Sequence, residues 1–353
     1  MKLAQPPIQI SGFGGRVTLL LQRRALWLSL VLSGLLLLIM AASLTSGSFE
    51  LSMSGVWATL MGNPPSKVAD TVVWQLRFPR MIVAILAGML FGLSGAILQN
   101  ITRNPLADPS LVGVSQGASL AVITLIVMYP EVSTVWRPIA AFGGALAVAI
   151  LIQWIAMQRS DGATMRFILT GIGVAAFISA FGTAMLTYGD IYNAQEALAW
   201  LAGSIHAAGW EEVWGLSLIT ILLLPLLFWA TRPMAALRMG TEMATGFGVR
   251  IRRARIGLIS LSVALAAFGV AAVGPLGFVG LVAPHLSRRI AHSGVGQHLL
   301  LTGLTGAVMV SLADYVGRTA LAPVQIPAGI LTAILGVPVF LLLIIRSQYN
   351  RQL

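Results

Sequence analysis

Long runs of apolar residues alternate with short polar segments along most of the chain. A bilayer core about 30 Å thick is crossed by about 20 residues of α-helix, and most of the runs have that length. The pattern therefore predicts an all-α polytopic membrane protein with about ten transmembrane helices. The predicted spans are residues 25–46, 73–102, 111–129, 138–157, 164–187, 211–230, 254–273, 277–289, 298–320 and 326–346.

Two apolar stretches are shorter than a full crossing. The predicted span at 277–289 is one of them, and residues 194–205 form the other. Broken helices often line the cavities of transporters, because their free backbone groups are tolerated at membrane depth only where protein or water satisfies them. These stretches therefore favour a transporter over a simple membrane anchor.

The composition agrees with this interpretation. Of the 353 residues, 57% are hydrophobic and only 9% are charged, whereas soluble domains carry about 25% charged residues. The net charge of +11 comes from basic residues spread over alternate loops, as the positive-inside rule predicts, and not from a basic stripe for nucleic acid. This pattern places both termini in the cytoplasm, with residues 1–24 as a cytoplasmic segment, 25–346 as one transmembrane domain and 347–353 as a cytoplasmic tail.

Several kinds of chemistry are disfavoured by the residues that the chain contains. There is no Cys, and the four His lack the spacing of a metal site. Neither Lys2 nor Lys67 follows a glycine-rich loop, so no ATP-binding motif is present. Two stretches, Gly113–Gly117 and Gly92–Gly95, resemble serine-nucleophile motifs. A protease would also need a histidine on a facing helix, and the only candidate is His285, which lies near a helix end. The chain is therefore not expected to be an enzyme or to hold a metal or cofactor.

The longest hydrophilic stretch after the N-terminus spans residues 231–255. Its Ala, Met, Glu and Thr residues suit a short helix that Gly246 and Gly248 end, and four arginines then lead into the next span. Because the chain has no ATP-binding motif, nucleotide energy would have to come from a partner, and this loop is the natural contact. The alternative is a plain basic loop.

Asp314 and Arg318 are four residues apart near the end of the ninth span, where they are expected to pair on one helical face. Asp314 is nearly the only acid within a predicted span. Secondary transporters usually place ionisable residues at mid-membrane. An ion-coupled secondary transporter is therefore the rival function, and one acid supports it only weakly.

Ordered motifs along the chain resemble a known family. The stretch Gln75–Arg80, followed by GMLFGLSGAILQNITRNPLADPSLVGVSQGA, is similar to the FecCD-like permeases that import ferric siderophores, haem and cobalamin. The similarity continues through LTGIGVAAFISA, ALAWLAGSI, GPLGFVGLVAPHLSRRI, GAVMVSLADYVGR and IPAGILTAILGVPVF, so it covers about residues 51–346. The sequences of these motifs look most like those of ferric-enterobactin-type permeases.

This resemblance implies the type II ABC importer permease fold in a bacterial inner membrane. It implies a second permease subunit, two cytoplasmic ATPases that use ATP and Mg, and a periplasmic or lipid-anchored solute-binding protein. A heterodimer of permeases is preferred, with a homodimer as the alternative. The implied substrate is a ferric siderophore, of the catecholate type by similarity, with haem and cobalamin as alternatives.

The resemblance also assigns roles to individual residues. The external arginines that would receive carboxylates of the binding protein are Arg77, Arg80 and Arg318. The alternative is that these arginines are ordinary anchors of helix ends. The cytoplasmic exit would be narrowed by Asn104, Pro105 and Leu106, together with the start of the fifth span near Thr164; the alternative is a mere reverse turn.

The loop at 231–255 resembles a coupling helix that docks into an ATPase cleft. Its residues in the motif are Gly240, Glu242, Ala244, Gly246, Phe247 and Gly248. The family usually has Leu before the second glycine and often Ala two positions before it, where this chain has Phe247 and Gly246. Docking to an ATPase is still expected, but the departure from the family pattern leaves open which ATPase the loop fits.

Overall fold

The computed structural model describes residues 8–12, 17–47, 49–156 and 163–349, and these are almost entirely helical. The helices are α1 (Arg23–Thr45), α2 (Met53–Leu60), α3 (Lys67–Thr71), α4 (Phe78–Thr102), α5 (Val114–Met128), α6 (Trp136–Ala156), α7 (Ala163–Tyr188), α8 (Ile191–Leu201), α9 (Trp210–Arg238), α10 (Thr241–Gly246), α11 (Ile251–Val273), α12 (Val279–Ile290), α13 (Val295–Thr319) and α14 (Ala328–Tyr349). A π-helical turn, Val72–Arg77, joins α3 to α4, and a 3-10 turn, Pro109–Val112, precedes α5. Two antiparallel strands, β1 (Ile8–Gly12) and β2 (Val17–Leu21), precede α1.

Each of the ten predicted spans coincides with a helix, so the predicted all-α fold is confirmed. Seven helical segments of the described chain are long and apolar enough to cross a membrane, and α5 and the first part of α14 are shorter apolar helices. The strand pair lies within residues 1–24, for which no regular structure was predicted. The sidedness of the termini stays a prediction.

The centre of the bundle is α4, which packs against α9, α11, α12 and α13. Most of α4, α11 and α13 is buried, whereas α1, α6, α7 and α9 expose apolar side chains such as Trp27, Trp154 and Phe177. Lipid tails are as apolar as these side chains, so the outer helices need no further cover within a bilayer. The architecture is thus a buried helical core with a lipid-compatible rim.

Glycines allow the core helices to touch through their backbones. A Cβ atom on Gly88 of α4 would lie 2.3 Å from the Gly306 carbonyl oxygen of α13, and one on Gly117 of α5 would lie 2.4 Å from the Gly144 carbonyl oxygen of α6. Such close approach is the usual function of small residues in membrane helices. The neighbouring Gly143 makes no such contact, because a Cβ atom there would meet nothing within 4 Å.

The two short apolar stretches form the interrupted helices α8 and α12. Their connections are hydrogen-bonded to protein: Ser204 donates its N–H to the Val273 carbonyl at 2.9 Å, and Gly329 donates to the Gly203 carbonyl at 2.9 Å. Phe278, which precedes α12, has a left-handed φ of 66°. The irregular backbone between these helices is therefore satisfied by neighbouring segments, as membrane depth requires.

Candidate functional site

Arg77 lies at the end of the π-helical turn and reaches across to α1. Its guanidinium donates to the Leu44 carbonyl at 2.6 Å and to the Phe49 carbonyl. The Leu44 carbonyl belongs to the last turn of α1, where backbone acceptors have no partner within the helix. Gly47 leaves room for this contact, since a Cβ atom there would lie 3.0 Å from Nη2 of Arg77. Arg77 thus joins the end of α1 to the start of α4.

Arg318, in the last turn of α13, contacts the same end of α1. Its Nη2 atom donates to the Ser43 carbonyl at 2.6 Å and to the Ser43 hydroxyl at 2.8 Å. The last turn of α1 contains no basic residue of its own. Cations stabilise a helix C-terminus through the helix dipole, and here two guanidinium groups from neighbouring segments supply that charge.

Arg80 forms the centre of a buried polar network. Its Nε atom donates to both carboxylate oxygens of Asp314 at 3.0 Å, and Nη2 donates to Oδ1 at 2.8 Å. Nη1 donates to Oε1 of Gln325 at 2.9 Å and lies 3.2 Å from Nδ1 of His206. The network therefore connects α4, α13, the segment between α8 and α9, and the segment between α13 and α14.

These contacts correct two sequence-based expectations. Arg77, Arg80 and Arg318 are only 5%, 8% and 7% exposed, so they are not the surface side chains that docking was assumed to use. The carboxylate of Asp314 pairs with Arg80 and not with Arg318. Helical spacing indicated Arg318, but α13 faces α4 here and brings a closer cation to the acid. A role in docking stays a prediction.

The network also includes residues that sequence reasoning did not select. Ser43, His206 and Gln325 each bind one of the arginines. They lie 126 to 275 residues from their arginine partners along the chain, and no spacing rule joins such distant positions.

The segment after α4 forms the predicted turn. Asn104 accepts the Leu106 N–H on its side-chain oxygen at 2.9 Å and the Ala107 N–H on its carbonyl at 3.2 Å. Arg103, which ends α4, has a left-handed φ of 50°. Pro105 then occupies the turn, where it needs no N–H partner. A local Asn hydrogen bond and a Pro thus stop the helix here.

Leu106 projects from this turn into a cavity of about 470 Å³, which Phe278 and Phe340 also line. The cavity lies between the turn and helices α7, α12 and α14. Thr164 stands at the start of α7, and its side chain lies outside the described residues. The role of these residues as a gate stays a prediction.

Asp108 holds the next turn in place. Its carboxylate accepts the Ser110 N–H at 2.7 Å and the Ser110 hydroxyl at 2.5 Å. Burial raises the pKa of the Asp108 carboxyl, and the hydrogen bonds from Ser110 oppose that rise in pKa. A buried acid thus fixes the entry to α5.

The hydrophilic loop contains the short helix α10. Gly240 precedes it with a φ of 114° and Gly248 follows it with a φ of 78°, which are conformations that favour glycine. The short helix predicted from composition is confirmed. It ends at Gly246, and its first turn carries the acidic residue Glu242.

Three large apolar side chains, one on α10 and one just beyond each of its ends, form what is called the outer surface of α10. Met239, Met243 and Phe247 recur every four residues and are 54%, 54% and 64% exposed. On the opposite side Ala244 is fully buried and fixes the helix against the bundle. Large apolar side chains in a loop of this charge are typical of a surface that another protein covers.

Ser94, the serine of one protease-like motif, serves packing. Its hydroxyl donates to the Ser262 carbonyl at 2.6 Å and lies 2.9 Å from the Ser262 hydroxyl, between α4 and α11. In the part of the chain that the structure describes, no group of three or more His, Asp or Glu is placed to hold a metal ion.

Comparison with known proteins identifies the family. The FecCD transport family matches residues 35–346. The chain belongs to the FecCD transport family. A relative, the Fe(3+)-citrate import system permease protein YfmE of Bacillus subtilis (strain 168), is 38% identical over 92% of this chain and 96% of its own length. The ferric enterobactin transport system permease protein FepG of Escherichia coli (strain K12) is 35% identical over 87% of this chain and 92% of its own.

Solved structures agree with the family. A metal-chelate type ABC transporter, solved in an inward-facing conformation, aligns with a TM-score of 0.79 and 28% sequence identity, covering 91% of this chain and 99% of the other. The family resemblance and the fold predicted from sequence are thereby confirmed. This FecCD family member is a transmembrane ABC permease.

Proposed function

We propose that this chain is a membrane-spanning subunit of a binding-protein-dependent ABC importer for a ferric chelate in a bacterial inner membrane. The observation that carries the proposal is the similarity, over about nine-tenths of the chain, to permeases named for ferric citrate and ferric enterobactin. Because the two relatives are about equally similar, they favour ferric chelates as a class and not a catecholate in particular.

The charge distribution supports an orientation with α10 in the cytoplasm. Exposed arginines flank α10, at Arg232, Arg250 and Arg253. At the other end of α9 stand Glu211 and Glu212. Positive charge concentrates in cytoplasmic loops of membrane proteins. Counting the ten spans puts both termini on the same side of the membrane as α10, so both termini would then be cytoplasmic.

The exposed surface of α10 supports contact with an ATPase subunit. Met239, Met243 and Phe247 would enter an apolar cleft of the partner, as amphipathic helices do in grooves. Because α10 packs against α9 and α11 and is anchored through the buried Ala244, its displacement can be transmitted to both helices. We assign the coupling of ATP hydrolysis to this surface.

The turn at Asn104–Leu106 supports a constriction near the same end. Leu106, Phe278 and Phe340 line the cavity there, and an apolar constriction opposes water and ions until helices move apart. The pathway itself would form between this chain and a second permease, preferably a different chain.

The opposite end supports binding-protein docking. In this conformation Arg77 donates to Leu44, Arg80 to Asp314 and Arg318 to Ser43. Direct docking would exchange these acceptors for partner carboxylates. The one acid that motivated the ion-coupled alternative, Asp314, is paired with Arg80, which gives it a structural role in holding α4 and α13 together.

The test is uptake of labelled ferric chelates into proteoliposomes that contain this chain with its co-purified partners. The panel comprises ferric citrate, a ferric catecholate, a ferric hydroxamate, haem and cobalamin. Uptake of one ferric chelate that requires both ATP and binding protein is the expected result. Uptake driven by an ion gradient without the ATPase would overturn the proposal, and uptake of haem or cobalamin alone would replace the substrate class.

A further inference from the structure

A basic pocket of about 660 Å³ opens at the end of the bundle where α4 and α9 finish and α13 begins. It is separate from the Leu106 cavity and from the outer surface of α10. Three arginines and two histidines line it, and the lining contains no carboxylate: Arg103, Arg238, Arg288, His292 and His298. Among the described residues, none of these three arginines forms an ion pair.

The pocket gathers unsatisfied hydrogen-bonding groups. Within the described part of the chain, ten buried side-chain nitrogen and oxygen atoms lack a protein partner. Five of these atoms belong to pocket-lining side chains, namely Gln99 Oε1, Arg288 Nε, Ser293 Oγ and both ring nitrogens of His298. Unpaired buried polar groups are costly. Gln99 Oε1 can only accept, but Arg288 Nε, the Ser293 hydroxyl and one ring N–H of His298 can donate. These donors at one place indicate a ligand that accepts hydrogen bonds.

His298 is the most informative of these residues. It is only 2% exposed, yet neither ring nitrogen has a partner. Arg238 and Arg288 line the same pocket as its ring. Like charges around a buried ring are unfavourable without an anion between them.

Helix ends explain only part of this arrangement. Arg103 donates to the Leu237 carbonyl at 2.8 Å, and Arg238 and Arg288 stand in the last turns of α9 and α12, where cations favour the helix dipole. Asn100 holds Arg238, with its amide oriented to accept from Nε at 3.0 Å. Neither fact provides an acceptor for His298 or for Nε of Arg288.

We propose that this pocket binds a phosphate group, carried either by the headgroup of an anionic phospholipid or by a free phosphate. Guanidinium groups form strong paired hydrogen bonds with phosphate oxygens. Basic pockets between membrane helices on the cytoplasmic side suit anionic headgroups. Arg288 Nε, the Ser293 hydroxyl and a His298 N–H supply the donors, and Arg238 supplies further charge.

The test is calorimetric titration of the purified full-length chain in neutral detergent with three probes. The probes are inorganic phosphate, short-chain phosphatidylglycerol and short-chain phosphatidylcholine. Binding of phosphate itself identifies a free phosphate as the ligand, whereas binding of phosphatidylglycerol without phosphate identifies a headgroup. Phosphatidylcholine is expected to bind far more weakly than either, because its headgroup has no net charge.

Variants then locate the binding. Arg288→Gln and His298→Gln are each expected to weaken it about tenfold, which corresponds to about 1.4 kcal/mol. The matched control is Arg253→Gln, an exposed arginine outside the pocket. Arg238→Gln, which alters an exposed side chain, serves as a second pocket variant should His298→Gln fail to fold. Absence of binding by phosphate and phosphatidylglycerol, or equal loss in Arg253→Gln, would overturn the proposal and leave the arginines as helix-end cations.

Discussion

Arg80 and Asp314 form an ion pair 2.8 Å long that joins α4 to α13 where both helices are buried. The two residues are 234 positions apart, and their side chains are 9% and 5% exposed. Gln325 and His206 surround the guanidinium. The pair therefore sets the relative position of the two central helices at the end of the bundle that is proposed to face the binding protein.

Removal of the acid should destabilise the chain strongly. Asp314→Asn leaves Arg80 buried without a carboxylate, and breaking a buried pair in this way costs about 3–5 kcal/mol. Thermal unfolding of the purified chain in detergent measures the change. The control is Glu196→Gln at the exposed Arg137–Glu196 pair, for which about 0–1 kcal/mol is expected. Equal shifts in the two variants would contradict the structural role given to Arg80 and Asp314.

The contact of Gly88 with Gly306 gives a second prediction. Gly88→Ala would place a Cβ atom 2.3 Å from a backbone carbonyl that cannot move alone, so α4 and α13 must separate. The expected loss is about 1–3 kcal/mol, as for other overpacked cores. Gly143→Ala is the matched control, because its Cβ atom meets nothing within 4 Å. A neutral Gly88→Ala would show that the two helices are not held at this distance.

Much of the fold could be predicted from sequence because a membrane imposes simple rules. The length of each apolar run gave the spans, and the composition of the hydrophilic loop gave α10, with its glycines indicating where the helix ends. The family resemblance gave the turn after α4, where Asn104 and Pro105 act locally on the backbone. Each of these predictions depends on neighbours within a few residues.

The parts that sequence reasoning missed depend on helix packing. Which cation pairs with Asp314 is decided by the side of α4 that faces α13, and spacing along one helix favoured Arg318. The burial of Arg77 and Arg318 likewise depends on where α1 ends. The N-terminal strand pair has no strong alternation of apolar and polar residues in β2 (VTLLL), so strand periodicity did not reveal it.

Asp108 gives a prediction about pH. Burial raises the folded-state pKa of its carboxyl above the ordinary value of 3.8, so the unfolded chain loses the proton first. The protonated carboxyl therefore contributes stability that is fully present below pH 3.8 and is lost as the pH rises through the folded-state pKa above that value. Asp108→Asn keeps an acceptor for Ser110 and removes the charge.

The variant should accordingly be at least as stable as the native chain at neutral pH. The difference between the two should shrink as the pH falls toward 3.8. The measurement is the unfolding temperature of both proteins across a pH series. Groups that titrate equally in both proteins do not affect the difference between the two temperatures. A native chain more stable than Asp108→Asn at neutral pH would mean that the ionised carboxylate is favourable in its site.

The exposed surface of α10 gives the last prediction. Met243→Glu introduces charge into the middle of the apolar surface formed with Met239 and Phe247, and burial of that charge against an ATPase would be unfavourable. ATPase co-purification and ATP-driven uptake should fall at least about tenfold, since about 1.4 kcal/mol of lost association free energy suffices. The unfolding temperature of the isolated chain should not change, because Met243 is exposed. Arg252→Glu, an exposed change of charge outside this surface, is the control: if it reduces association equally, then general loop charge, and not the apolar surface of α10, binds the ATPase.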